Sequence, residues 1–277
     1  MRRLITWAVV AGLLGVTVAR AAPTLVIRGA AARVVVMPEA RGDIAVFIER
    51  ATPGLPLKIR RLGDRVTITG NVARRVRGCF TVAGRQSVRV WSRGAVAYEA
   101  LPKLVIHAPM DVRLTAGDAV FGEIGRSTSL DLTNQGCGDW TVANVAGRMR
   151  IDQAGAGVTR AGTARSADLS VAGSGKVITQ PIAGGVTAVS SGAGDIKVSS
   201  INGPYDVRVA GAGTIVTNAG LATSMTASIA GSGAIRFGGT ALNLQAMIAG
   251  PGQVRVDRVT GSVSKRVFGS GSVTVGR

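Results

Sequence analysis

A glycine pair of the form Gly-x-Gly returns about every nineteen residues through the second half of the chain. From Gly117, where the second glycine is missing, the first glycines follow at steps of 19, 19, 18, 19, 19, 20, 19 and 19 residues. So regular a period is typical of stacked units, because each short unit must bury its apolar face against the next. The paired glycines are Gly136, Gly138, Gly155, Gly157, Gly173, Gly175, Gly192, Gly194, Gly211, Gly213, Gly231, Gly233, Gly250, Gly252, Gly269 and Gly271.

Apolar residues around each pair occupy every second position. One coil reads Val207, Val209, Gly211, Gly213, Ile215, with polar or small residues between. This is the period of a β-strand and not of a helix. Both glycines share the parity of the apolar residues, so we expect both to face inward, where a Cβ would clash or the chain must bend. The middle residue is then expected to point outward.

A second apolar strand follows in most coils, so two strands and two turns fill nineteen residues. The sequence therefore predicts an all-β fold: a parallel β-helix or β-solenoid formed by one chain, with coils about 4.8 Å apart. Right-handed coils are expected from the general preference of parallel connections. The alternative is a sandwich of short strands with glycine-rich turns, but sandwich loops rarely keep a constant period.

The beginning of the chain has the features of a secretory signal peptide. Arg2 and Arg3 form a basic start, residues 4–18 are apolar, and Ala19 and Ala21 place small residues at a cleavage site. The apolar run is shorter than the roughly twenty residues that span a bilayer, so we expect cleavage and not anchoring. The predicted localisation is export by the general secretory (Sec) route to the periplasm or surface of a Gram-negative bacterium. No later run is apolar enough to predict a transmembrane span.

The chain is predicted to divide into a signal peptide at 1–21, an irregular part at 22–112 and the regular repeats at 113–277. We interpret 22–112 as irregular first coils that cap the solenoid, so that 22–277 form one domain. A separate small β domain is the alternative. A loop over residues 72–85 is expected to interrupt the strands of this part, which are predicted at 25–28, 33–37, 44–48, 57–60, 65–69, 87–91 and 103–107.

The two cysteines, Cys79 and Cys137, are expected to form a disulfide. In an exported protein a cysteine pair is more often bridged than free. Cys137 occupies the outward middle position of its glycine pair, which suits a tether to a neighbouring loop that carries Cys79. The bridge is interpreted as structural, with no catalytic role.

Positive charge is concentrated in the first part of the chain. Residues 28–113 hold 16 basic and 6 acidic residues, whereas the remainder of the repeats holds 14 basic and 9 acidic. Such a surface attracts anionic polymers, including lipopolysaccharide and acidic glycans, although GC-rich codon usage also produces an excess of arginine over lysine. Nucleic acid is not predicted as a partner, because no aromatic stacking platform or recognition helix accompanies the charge. The densest cluster, and the candidate polyanion contact, is Arg60, Arg61, Arg74, Arg75 and Arg77.

The sequence contains little material for catalysis or for cofactor binding. The single histidine, His107, is interpreted as a structural imidazole, and no cluster of residues has metal-ligand spacing. Asp118, Asp139 and Asp195 follow the glycine motif, but the other coils lack an aspartate there, which argues against a calcium-binding roll. The glycines do not predict a phosphate loop, because no helix follows them. No catalytic residue, metal or cofactor is predicted.

The repeated run VAGSG, as at residues 171–175, resembles the bacterial head GIN domain family, described as adhesin heads of autotransporters. A second point of resemblance is LPKLVI at residues 101–106, which leads into AGD at 116–118. The resemblance covers most of the chain, best over 100–277. It implies a parallel β-helix in the cell envelope and supplies no family catalytic residues to transfer.

The leading functional hypothesis is a non-enzymatic envelope protein whose rigid solenoid presents a surface for adhesion or scaffolding, towards an anionic polymer or another envelope protein. The first alternative is a polysaccharide-active lyase or hydrolase on a β-helix, which rests on fold analogy alone. The second alternative is a periplasmic subunit that assembles end to end through an open edge. The sequence leaves the oligomeric state open.

Overall fold

The computed structural model describes residues 22–82, 85–91 and 93–276, so the predicted signal peptide lies outside the described residues. A turn of 3-10 helix lies at Tyr98–Ala100. The first ten strands are β1 (Thr24–Arg28), β2 (Ala31–Glu39), β3 (Ala45–Arg50), β4 (Lys58–Leu62), β5 (Arg65–Thr69), β6 (Val76–Val82), β7 (Arg85–Val90), β8 (Gly94–Ala97), β9 (Lys103–Pro109) and β10 (Asp111–Ala116).

The remaining strands belong to the regular repeats. They are β11 (Ala119–Ile124), β12 (Ser129–Asn134), β13 (Trp140–Val142), β14 (Arg148–Gln153), β15 (Val158–Ala161), β16 (Ser166–Gly173), β17 (Lys176–Thr179), β18 (Val186–Gly192), β19 (Asp195–Gly211), β20 (Thr214–Ala230), β21 (Ala234–Ala241), β22 (Leu244–Ala249), β23 (Gln253–Val259), β24 (Val263–Phe268) and β25 (Ser272–Val275).

These strands stack as a parallel β-solenoid with about nineteen residues per coil and about nine turns, which confirms the predicted fold class. Each coil contributes one strand to each of two long rows, and in the later coils a third, shorter parallel ladder joins residues 200–203, 219–222, 240–241 and 258–259. Row A runs β4-β5-β1-β10-β12-β14-β16-β18, then through the second halves of β19 and β20 to β22 and β24. Row B runs β3-β9-β2-β11-β13-β15-β17, then through the first halves of β19 and β20 to β21, β23 and β25.

The core lies inside the coils, enclosed by the two rows and the shorter third ladder, and follows the predicted alternation. Leu132, Ile151 and Leu169 stand on three successive coils of row A in direct register, and all three are buried. In row B, Ile196 and Ile215 are likewise buried and in direct register on successive coils. One connected apolar cluster runs from the first strands to β23. Burial of small branched side chains along this axis, worth about 25 cal/mol per Å², is the main stabilising term.

The first part of the chain is threaded between coils and is not simply stacked in chain order. β1 lies between β5 and β10, and β2 lies between β9 and β11, all in parallel register. The two strands that end the rows, β3 and β4, run antiparallel to their neighbours. The predicted cap therefore consists of parallel coils closed by two antiparallel edge strands.

The predicted loop over residues 72–85 is wrong, because it contains the strand β6. This strand pairs with β7, and β7 with β8, in a separate three-stranded antiparallel sheet. In the sequence of β6, Gly78 and the neighbouring arginines interrupt the alternation of apolar and polar residues that would indicate a strand. The small sheet packs on the outer surface of row B, where Val88 and Val90 join Phe121 in a second buried cluster.

The two glycines of a pair occupy different environments. The second glycine is buried from Gly138 to Gly252, as predicted. The prediction that the first glycine also faces inward is wrong for the later coils. There it forms the corner between the rows, partly exposed, and in Gly173, Gly211 and Gly250, for example, its φ lies between 121° and 127°. A residue with a Cβ is strained at such φ values. The backbone angle therefore accounts for glycine at this position, and a contact inside the core is not needed to explain it.

Polar side chains inside the coils support these corners. Asn134 Nδ2 donates to the carbonyl of Gly138 at 2.9 Å, and Ser190 Oγ donates to the carbonyl of Gly194 at 2.7 Å. Both residues stand two positions before the first glycine of a pair and are buried. They satisfy a corner carbonyl that would otherwise be buried without a partner.

A methyl group on a second glycine should destabilise the solenoid. A Cβ on Gly233 would overlap the side chain of Val209 and lie 2.5 Å from the carbonyl oxygen of Gly213 on the preceding coil. We expect Gly233→Ala to lower the free energy of unfolding by about 1–3 kcal/mol through overpacking, measured by denaturant unfolding. Gly42→Ala is the control, because a Cβ at Gly42 would have no atom within 4 Å. Equal stability of the two variants would contradict this interpretation.

A disulfide joins Cys79 of β6 to Cys137 at the corner between β12 and β13, 58 positions apart in sequence. It ties the small sheet to the solenoid. Replacing both cysteines by serine should lower the free energy of unfolding by about 4 kcal/mol on the chain-entropy estimate, measured with the reduced wild-type protein alongside. If oxidised and reduced wild type unfold at the same denaturant concentration, the bridge has no stabilising role.

Candidate functional site: an axial column of cations

The five arginines predicted as a polyanion contact are divided between row A and the start of the small antiparallel sheet. Arg60 and Arg61 belong to the edge strand β4 of row A, whereas Arg74 and Arg75 precede β6 and Arg77 lies on it. Arg61 points between the rows and donates to the carbonyl of Ile44. Arg60 faces outward. The cluster that is dense in sequence is therefore divided in space.

Arg77 has a local partner on the small sheet. Its guanidinium carbon lies 4.0 Å from the ring centroid of Trp91, in a cation–π contact. Trp91 also donates its backbone N–H to the carbonyl of Arg75. These contacts hold the segment that leads into β6 against the end of β7, while the side chains of Arg74 and Arg75 stay exposed.

His107 lies on β9, where its Nδ1 is 3.2 Å from Glu39 Oε1 and its ring meets the edge of Phe47. The hydrogen bond from His107, followed by that from Arg41, lowers the pKa of Glu39. This pairing is consistent with the structural role predicted for the histidine.

The outer surface of row A carries charges that are paired with one another. Arg148 Nε donates to Asp168 at 2.6 Å and Arg150 Nε donates to Asp152 at 2.9 Å. The hydrogen bond to Asp152 raises the pKa of Arg150. Further along the same face, the guanidinium of Arg208 contacts Asp206 at 2.7 Å. These exposed pairs each contribute at most about 1 kcal/mol to stability, and they neutralise the three arginines that take part in them.

The outer surface of row B carries a column of cations along the solenoid axis. Successive coils place Arg160, Ile178, Lys197, Val216, Arg236 and Arg255 in direct register. We call the four cations, Arg160, Lys197, Arg236 and Arg255, the axial column. With coils about 4.8 Å apart, the column extends over about 24 Å.

Three members of the axial column have no acidic partner among the described residues. Arg160 lies 3.9 Å from Asp139, beside the small sheet. The structure records no ion pair for Lys197, Arg236 or Arg255 within residues 93–276. All four side chains are exposed. Because the small sheet covers row B only over its first coils, the later part of the column faces solvent.

Polar groups line the column at its far end. A groove of about 330 Å³ lies beside Arg236 and Arg255 and is bordered by Gln253, Ser272 and Thr274. Guanidinium groups bind carboxylates and phosphates through two parallel hydrogen bonds. The amide and hydroxyl groups beside them supply donors and acceptors for neutral polar groups such as sugar hydroxyls. The arrangement can therefore bind an extended anion through charge and hydrogen bonding.

The carboxylates best placed for sugar chemistry lie on row A. Asp168, Thr187 and Asp206 follow one another in register beside a pocket of about 210 Å³. Asp168 and Asp206 each form an ion pair with an arginine. Both aspartates therefore belong to the paired charges on the outer surface of row A. No group of three or more His, Cys, Asp or Glu residues that could hold a metal occurs in the described part of the chain.

The axial column has a signal in the sequence that a search for adjacent charges misses. Each of its four members stands three residues after the second glycine of a pair. Alignment of the coils on their glycines brings them together. The N-terminal arginine cluster is conspicuous because its members adjoin in sequence, which does not predict spatial proximity in a solenoid.

Comparison of the chain with family models, with curated proteins and with solved structures found no match. The resemblance to the head GIN domain family accordingly stays a prediction. Within the described residues, no helix combines the length and apolar character needed to cross a bilayer.

Proposed function

We propose that the protein is a non-enzymatic, exported component of a bacterial cell envelope whose rigid solenoid binds an anionic polymer for adhesion or scaffolding. The axial column is the observation that carries this proposal. Three of its exposed cations have no acidic partner among the described residues, and hydrogen bonds between the coils fix the positions of their backbones. Because the coils already fix the backbone positions of the column, binding an extended ligand requires ordering of side chains but not of backbone, which favours association. Acidic glycans and lipopolysaccharide are the ligand classes with matching charge.

The predicted export signal and the head GIN resemblance support the same proposal from the sequence. The basic start, the apolar run and the Ala19–Ala21 cleavage site predict entry into the periplasm or delivery to the surface of a Gram-negative cell. The proposal is tested by fractionation of cells that express the full chain. We expect a processed protein that begins at Ala22 in the envelope fractions, whereas an unprocessed cytosolic protein would contradict export.

Loss of the unpaired cations should weaken binding to an acidic polysaccharide. With polygalacturonate and lipopolysaccharide as probes and dextran as the neutral control, we expect the triple variant Lys197→Gln, Arg236→Gln and Arg255→Gln to bind about tenfold more weakly. Three exposed charge contacts of roughly 0.5 kcal/mol each add up to this factor. Wild-type affinity should fall with added salt, because exposed charges are screened.

The matched control replaces three paired cations of row A, Arg148, Arg150 and Arg208, by glutamine. It makes the same change in net charge on the outer surface of row A, and we expect less than half of the effect on binding. Arg74→Gln with Arg75→Gln tests the cluster that the sequence favours. Equal losses in the two triple variants would show that only net charge matters and would exclude the axial column as a site.

A further inference from the structure

One inward-facing position in the middle of the row A strands holds an apolar residue in every repeat coil before the last strand of that row. Val207, Ala227 and Ala246 occupy it in direct register, all buried. On β24 the next residue in this column is Lys265. A cation thus stands where every preceding repeat coil has an aliphatic side chain.

Lys265 spans the open end of the core. Its Nζ donates to the carbonyl oxygen of Val273 at 3.1 Å. Val273 lies on β25, the last strand of row B, so the ammonium group connects the final strands of the two rows. The same hydrogen bond uses a backbone carbonyl oxygen of β25, which is an edge strand.

The opposite end of the solenoid has the same arrangement. Arg61 on β4 lies directly opposite the buried Val66 of β5, so its side chain points between the rows. Its guanidinium donates to the carbonyl of Ile44, immediately before β3, the edge strand of row B. Each end of the core therefore carries one inward-pointing cation that is hydrogen-bonded to the other row.

The last coil otherwise has the properties of a self-association surface. β24 and β25 are edge strands, and the residues Val263, Val267 and Phe268 are 43%, 40% and 65% exposed. Unpaired strand edges beside apolar side chains are templates for pairing with another chain, and an inward-pointing charge is one of the devices that prevents it. Pairing of two ends would remove the cation from water beside apolar side chains, which is strongly unfavourable.

We propose that Lys265 and Arg61 block the two ends of the solenoid against end-to-end pairing with a second copy of this chain. At a contact between two C-terminal ends, the two Lys265 ammonium groups would also repel each other. This inference is independent of the ligand proposed above. It opposes the alternative in which the wild-type chain assembles end to end as a structural subunit.

The test is the molecular mass in solution of protein purified after expression of the full chain, by light scattering over a hundredfold range of concentration. We expect wild type to be monomeric throughout. Lys265→Ala, which restores the side chain of the preceding coils, should double the mass at high concentration through a closed contact between C-terminal ends. Adding Arg61→Leu should produce larger, concentration-dependent assemblies, because both ends are then free.

The matched control is Arg266→Ser, which removes a charge from the same strand at an outward, exposed position opposite Met247. It should stay monomeric. Lys265→Met, which keeps the length of the side chain without its charge, separates association from misfolding, and circular dichroism checks the fold of each variant. Monomeric behaviour of both folded Lys265 variants would overturn the proposal, as would equal association of Arg266→Ser or assembly of the wild type.

Discussion

The structure depends on the parallel backbone hydrogen bonds that hold each coil at a fixed distance from the next. These bonds continue through the corners, where the carbonyl of Gly211 accepts from the N–H of Gly233 at 2.9 Å and the carbonyl of Gly250 from Gly271 at 2.9 Å. At this distance a Cβ on a second glycine would overlap the preceding coil. The glycine period is therefore a consequence of coil spacing, because only glycine allows the corner backbones to approach so closely.

The same spacing organises the outer surface. A residue that occupies one outward position in a coil lies directly over its equivalent in the next, so a motif repeated along the sequence becomes a column along the axis. On row A, Arg150 and Asp168 lie in register on successive coils, and Arg148, Arg150 and Arg208 each pair with an aspartate. On row B the same spacing brings together cations that are about twenty or forty residues apart in sequence. Charge distribution over the two faces, and not net charge alone, determines which face can bind an anion.

The ends of a solenoid need a separate solution, because stacking leaves an unpaired rung at each of them. At the first end, threading of β1 and β2 between later strands and the antiparallel strands β3 and β4 interrupt the parallel ladder. At the last end no comparable element follows in the described residues, and β24 and β25 remain as edges. Lys265 and Arg61 stand at equivalent places in these two different terminal rungs, which is why one physical role can be assigned to both.

The sequence by itself determined the repeating half: the parallel solenoid, the nineteen-residue coil and the buried second glycines follow from strand alternation and a constant period, which are local properties. Only the tertiary structure decided the threading of β1 and β2, the separate sheet with β6, and the corner position of glycines such as Gly211. These depend on contacts between segments far apart in the chain and on backbone angles that residue polarity does not report. The axial column lies between the two cases. Its members are visible in the sequence, but their alignment needs the register of the coils, because side chains distant in sequence become neighbours only when backbone hydrogen bonds set that register.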